Sequence, residues 1–455
     1  MRLGGLAPEL LSLILQNIDS PRGLHDLISA SPACLRVFSQ SSPLILSSAI
    51  RNALPIETSR DFLAVLQTPT PATRSTVSLF LDKYFKNSLS FDFPSNKEDV
   101  LSLCQLYKRV TFFIDRYLRY LNELGLGESI LILSSSELIR LQRAFLRFEI
   151  YSRVFPSDDT YSWETPPPNH KFTAVEQFDL FLSHLGPWEV EEMTCVELYF
   201  CILIGGFIDQ LEEQLIEAVK KSPGLVWPPS SGSTETEKDI EGSTTQNEDN
   251  LWDFKALDLG PLSLFSPDGI YRSPGNISYM TSLGLEFVYS LCTSEERRSE
   301  LIRSNSPHNR EFLPEALAHS PTWPPGHQGE GISIQDPTTD LDLSRGNLGY
   351  YLFNKSHEGT SMYGPIDLAG SYYTALRELG YVFWDSRRIQ SSDVSERLTA
   401  ASKMTYSEMG DRFDRRWRKG PEDKLEGAKL PFDEMQRIEK DFGCIRRPTP
   451  WDEEE

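Results

Sequence analysis

Two Ser-Pro steps, Ser20-Pro21 and Ser31-Pro32, lie about eleven residues apart in the apolar stretch Leu6–Phe38, and they constrain the fold more than any other feature. Proline has no N–H and clashes with the preceding helical turn, so it suits only the first turn of a helix, where the serine before it acts as a cap. The two steps therefore cut the stretch into short helices joined by tight corners. In the first helix Pro8 takes an opening position and Glu9 suits the positive end of the helix dipole. Leu10, Leu11, Ile14, Leu15 and Ile18 then recur at spacings of three and four, which gives one wide apolar face. Leu13 widens it further, while Ser12, Gln16 and Asn17 stay polar. Leu24, Leu27 and Ile28 carry the face into a second helix, and Leu35, Val37 and Phe38 into a third. So small a unit has little interior, and much of its apolar surface calls for burial against something else.

Two other accounts fit an N-terminal apolar segment. A secretory signal needs an unbroken apolar run and a small-residue cleavage site, whereas Pro8 and Glu9 interrupt this run and Asn17 and Asp19 close it. A helical hairpin that closes the protein's own core has the same periodicity as a docking module, and the residues alone leave that alternative open.

The succession Leu6, Glu9, Leu10, Leu11, Ile14, Leu15 and Ile18, then Asp26-Leu27, then Ala30-Ser31-Pro32, resembles an F-box. The ending from Ser31-Pro32 to Phe38 is similar to that of F-box-like proteins of filamentous fungi. Ala7 stands where the family commonly has proline, and the stretch from Leu35 to Phe38 lacks the family's frequent tryptophan. The resemblance implies a mainly α fold: a three-helix module over residues 1–53, followed by a large irregular helical body with long loops. It also implies a substrate receptor that joins an unidentified protein target to a cullin-based SCF-type ubiquitin ligase through a Skp-family adaptor. On this reading Leu6, Pro8, Leu10, Leu11, Ile14, Leu15 and Ile18 dock the adaptor, with Leu24 and Leu27 behind them and some facing the module's own interior. Burying several such side chains at roughly 1.5–3 kcal/mol each gives micromolar or tighter binding after association costs. The alternative from another class is a non-catalytic helical scaffold whose first helices are part of its own core.

Composition narrows the remainder. A chain of 455 residues with 39% hydrophobic side chains can bury a large core. Its formal charge of −21 disfavours nucleic acid and anionic membrane surfaces, since both demand clustered Lys and Arg. Six cysteines, none in a Cys-x-x-Cys pair, sit mostly in apolar helical runs; reduced buried thiols are expected, and with them the cytoplasm or nucleus. The longest apolar run, Leu198–Ile208, falls short of a membrane span and reads as a core helix.

Periodicity predicts short helices over Pro43–Ala53 and Glu57–Leu66, and long ones over Val100–Leu124 and Ser134–Phe155 with Arg and Lys on their polar faces. Ser134 and Glu137 offer a cap, and helices follow near Thr173–Leu185 and over Met193–Lys220, which finishes on a solvated charged end. Together these make a helical body over residues 54–227. Residues 228–250 have almost no apolar side chains and read as a disordered acidic linker. In the C-terminal region, 251–455, helices are expected over Ser278–Thr293, Ser294–Ser304, His308–His319 and Ala369–Gly380, then short ones beyond Met404.

No catalytic, metal or cofactor constellation emerges. There is no phosphate-binding glycine loop, no nucleophile elbow, and no His or Cys spacing suited to zinc. Asp340, Asp342 and Ser344 alternate like a calcium loop, but Arg345 and Tyr351 stand where glycine and glutamate are required. His357-Glu358 lacks a second histidine ligand. The aromatic run Tyr381-Val382-Phe383-Trp384 leads into Asp385, Arg387 and Arg388. Trp384, Arg387 and Arg388 could form a partner surface, although a core-filling element with a charged exit is the favoured account.

Overall fold

The computed structural model describes residues 5–86, 91–156, 172–227, 251–253, 274–305, 312–318, 348–354, 374–405, 407–408, 412 and 424–441. It is mainly helical with almost no strand. The N-terminal unit comprises α1 (Pro8–Gln16), α2 (Pro21–Ala30) and α3 (Pro32–Ala53). Both Ser-Pro corners form as expected: Ser20 Oγ accepts from the Gly23 N–H at 3.0 Å, and Ser31 Oγ accepts from the Cys34 N–H at 3.4 Å.

The third helix divides as expected. It is two helices joined at a kink, where Ser41 leaves the helical conformation (φ −135°, ψ 31°) and Pro43 lies in the opening turn of the second, which ends at Ala53. An internal proline removes one helical hydrogen bond and displaces the preceding turn, which bends a helix if packing holds both halves. Here Val37 before the bend and Ile45 after it lie in the same small core, with Leu11, Leu15, Leu24, Cys34 and Ala49. Asn52, near the end of α3, donates to the carbonyls of Gln16 (2.9 Å) and Ile18 (3.3 Å) and so fastens the end of α1.

The body follows as α4 (Ile56–Leu66), α5 (Arg74–Phe85), α6 (Lys97–Leu121), α7 (Ser135–Val154), α8 (Ala174–Leu180) and α9 (Pro187–Lys220). Leu46 of α3 packs against both cores, Ile50 belongs to the larger one, and α3 packs on α6. The predicted cap on α7 is a full capping box, with Glu137 N–H donating to Ser134 Oγ (3.2 Å) and Ser134 N–H donating to Glu137 Oε2 (3.0 Å). At 34 residues, α9 starts earlier than its periodicity suggested and is long and apolar enough by length and composition to cross a membrane. In the fold it is a core helix, with 72% of its apolar window buried.

Beyond it come β1 (Leu251–Asp253), α10 (Pro274–Ser282), α11 (Gly284–Thr293), α12 (Glu295–Asn305), α13 (Leu313–Ala318), α14 (Leu348–Asn354), α15 (Thr374–Glu378), α16 (Ser386–Ile389), α17 (Ser392–Ser402), β2 (Lys429–Pro431) and α18 (Phe432–Asp441). The strands were not expected. β2 pairs antiparallel with β1, and Val226 bridges Lys429 from the other side. The expected linker 228–250 lies outside the described residues and is flanked by these two segments. One large core takes Phe145 from α7, Phe200 from α9, Tyr279 from α10, and Leu376 and Trp384 from the C-terminal region.

Candidate functional site

α1 has two faces, and the structure divides the proposed docking residues between them. Leu11 (2% exposed), Leu15 (0%) and, from α2, Leu24 (2%) fill the module's own core, so none of the three is available to a partner. Some of the candidates were expected to face the module's interior, and these three do, with Val37, Ile45 and Ala49 of α3 completing the core. Leu6, Ile18 and Leu27 are half-buried and pack against that core. Pro8, Leu10 (50%) and Ile14 (38%) face solvent.

Leu13, not chosen from the sequence, is 55% exposed and shares a helical stripe with Leu10 and Ile14. Its signal was present in the three-and-four spacing, since residues 10, 13 and 14 form one flank of the wide apolar face whose other flank is 11, 15 and 18. Leu35 (48%) and Leu44 (56%) of α3 are exposed as well. Over residues 5–53 Glu9, Asp19 and Asp26 balance Arg22, Arg36 and Arg51, so the chain's charge of −21 resides outside this segment. The exposed stripe is apolar.

The C-terminal aromatic run is a core element. Trp384 is fully buried and its Nε1–H donates to the Leu379 carbonyl at 2.9 Å, which removes it from any partner surface. The turn leading to it needs Gly380, whose φ is +61° and where a Cβ would come within 2.5 Å of Tyr117 Oη. Arg388 is not a free cation either. It donates to both Glu137 oxygens at 2.7 Å and to the carbonyls of Ser129 (2.8 Å) and Ile132 (2.7 Å). Arg387 alone of the three is exposed.

The arginines of α7 correct another expectation. Arg140, Arg143 and Arg147, read as a polar face, have side chains only 11–15% exposed and form an ion-pair seam. Arg140 pairs with Asp385, which also accepts from Ser134 and Ser136. Arg143 donates to Glu192 at 2.6 and 3.0 Å, and Arg147 lies 2.7 Å from Glu189. The seam ends near Asp61 on α4, which accepts from Tyr84 Oη at 2.8 Å. Burial pushes Asp385 up, but Ser134, Arg140 and Ser136 outweigh it and hold the carboxyl below its ordinary range. Burial likewise raises Glu189, yet Arg147 and Arg143 bring it below the usual value. At Glu192 and Asp61 burial prevails and the pKa is raised. Deeper still, Arg377 donates to both oxygens of Glu191 at 2.9 and 2.7 Å, and Tyr381 Oη adds a bond at 3.1 Å. The charged end of α9 is solvated only in part, because Glu212 is buried and accepts from Lys424 Nζ at 2.9 Å.

Among the described residues these charges pair with one another. Cys195 and Cys201 are buried free thiols with pKa values pushed well up by burial, and burial moves Cys104 and Cys292 up to about 11. A thiol so raised is a poor nucleophile at neutral pH. Among the described residues no cluster of three or more His, Cys, Asp or Glu could hold a metal ion. The calcium-like segment with Asp340 and Asp342, and His357-Glu358, lie outside the described residues. Asn276, in an Asn-x-Ser sequence, is fully buried and so closed to glycosylation. No family model, no curated protein and no solved structure matches the chain.

Proposed function

We propose that the N-terminal module is an F-box-type docking unit, and that the protein is a non-catalytic substrate receptor. It would join an unidentified protein target to a cullin-based ubiquitin ligase through a Skp-family adaptor, in the cytoplasm or nucleus. The observation that supports this is the stripe Leu10, Leu13 and Ile14: large aliphatic side chains left in water by a helix whose adjoining face already has a core.

The stripe alone is too small to hold a partner. Each side chain has about half its surface left to bury, so the three contribute roughly 3 kcal/mol together, below the 4 kcal/mol or more that association costs. Docking therefore requires additional contacts, and Pro8, Leu35 and Leu44 are exposed to make them.

The experiment is co-purification of the full chain with a Skp-family adaptor, comparing wild type with Leu10→Asp/Ile14→Asp. Both positions face solvent, so the variant is expected to fold and to lose the adaptor. An adaptor that never binds, or binds both proteins equally, overturns the reading. A second reading, the scaffold whose first helices close its own core, rests on Ile50 of α3 lying in the larger core. Unfolding of the double variant would favour it.

A further inference from the structure

Glu197 differs from every other acid on the inner side of α9. Glu191 and Glu192 are each held by two donors of one guanidinium, whereas Glu197, 3% exposed, has a single hydrogen-bond partner among the described residues. That partner is Ser278 Oγ of α10, at a long 3.5 Å from Oε1. The charged group acting on it is Arg377 of α15, already committed to both oxygens of Glu191. The titratable neighbour on its own helix is Cys201, one turn on, whose raised thiol is neutral. Among the described residues no group of α7, α11, α12 or α18, the other elements on α9, acts on it. A carboxylate there would be a buried anion with one weak donor; a carboxylic acid would be neutral and able to donate to Ser278 as well as accept from it.

We propose that Glu197 is carried as the neutral acid in the folded protein and acts as a proton-dependent fastener between α9 and α10, loosening as the solution becomes more alkaline. Burial, opposed by Arg377 and Ser278, raises its pKa from 4.5 to about 8. When α10 lifts away and water reaches the carboxyl, Glu197 regains its ordinary value. Between those two values the opened form gives up its proton and the closed form keeps it. Opening is therefore favoured up to tenfold per pH unit in that window, and is independent of pH below and above it.

The test is amide hydrogen exchange across α10 in the full chain from pH 5 to 9, corrected for intrinsic exchange, for wild type and Glu197→Gln. Wild-type protection is expected to fall with pH by as much as tenfold per unit and to level off near the raised value. The variant, with nothing to titrate, is expected to stay flat. Should Glu197→Gln not fold, Glu197→Met serves as the non-titrating chain. Equal falls in wild type and variant, or no fall in wild type, overturn the proposal.

Discussion

The N-terminal module and the body solve the same packing problem with different materials. Among residues 5–53 no polar or charged side chain is buried; the core is Leu11, Leu15, Leu24, Cys34, Val37, Ile45 and Ala49. The body and the C-terminal elements packed on it bury Glu137, Glu149, Glu191, Glu192, Glu197, Glu212, Arg377 and Glu378 beside their aromatics. A small apolar core tolerates shifts in what it packs against, and three short helices cannot turn every leucine inward. Leu10, Leu13 and Ile14 are what remains. A large core with buried ion pairs is less forgiving, because a charge that loses its partner is left without solvation. The difference leaves exposed aliphatic side chains on the module and buried, paired charges in the body.

The strongest way to break this contrast is at Glu191. Arg377→Met leaves that carboxylate buried and unpaired, at a cost of about 3–5 kcal/mol, whereas Arg377→Met/Glu191→Gln recovers most of it. Denaturant midpoints for both variants check this, and equal losses would mean the charge is not what matters. Next in size is Leu15→Ala, which removes a fully buried side chain from the module at a cost of about 2–5 kcal/mol. Limited proteolysis should show residues 5–53 becoming labile while the unfolding midpoint of the body stays put. A shift of the body by the same amount would merge the two cores into one unit.

Asp385→Asn is expected to cost about 1–2 kcal/mol at neutral pH by weakening charged hydrogen bonds. The sign with pH follows from its lowered pKa: its stabilisation is present above the ordinary value of 3.8 and is lost as pH falls through the lower folded value. Acid-unfolding curves of wild type and variant should therefore converge at low pH. The smallest effect on stability belongs to Leu10→Asp/Ile14→Asp, within about 0.5 kcal/mol per site because both side chains face solvent. It should nevertheless have the largest effect on adaptor capture. A large loss of thermal stability would place α1 in the core and sharpen the scaffold reading.

Much of the helical framework was legible in the residues. Ser20-Pro21, Ser31-Pro32 and the Ser134–Glu137 box each announce a helix start through groups only three residues apart, and each forms. Pro43 announced a break as well, and the helical path is interrupted two residues before it, at Ser41. The exposed apolar face was legible as a set of leucines and not as a direction. Leu10 and Leu11 are neighbours of the same type, and only the position of α3 decides that one is half-exposed and the other buried. The arginines of α7 look like any solvated face until Glu189, Glu192 and Asp385 stand against them.

What the sequence by itself determined is the local order: where helices begin, where they turn, and that residues 5–53 carry no net charge. Those properties depend on neighbours within a turn or two, so a short window of residues contains their cause. The tertiary structure alone decided which leucines face water, which charges are buried, and that Trp384 serves the core. Burial is set by partners far along the chain: Arg377 meets Glu191 across 186 residues, and Asp385 meets Arg140 across 245. No periodicity in the sequence registers a contact at that separation, because it arises only when the helices have packed.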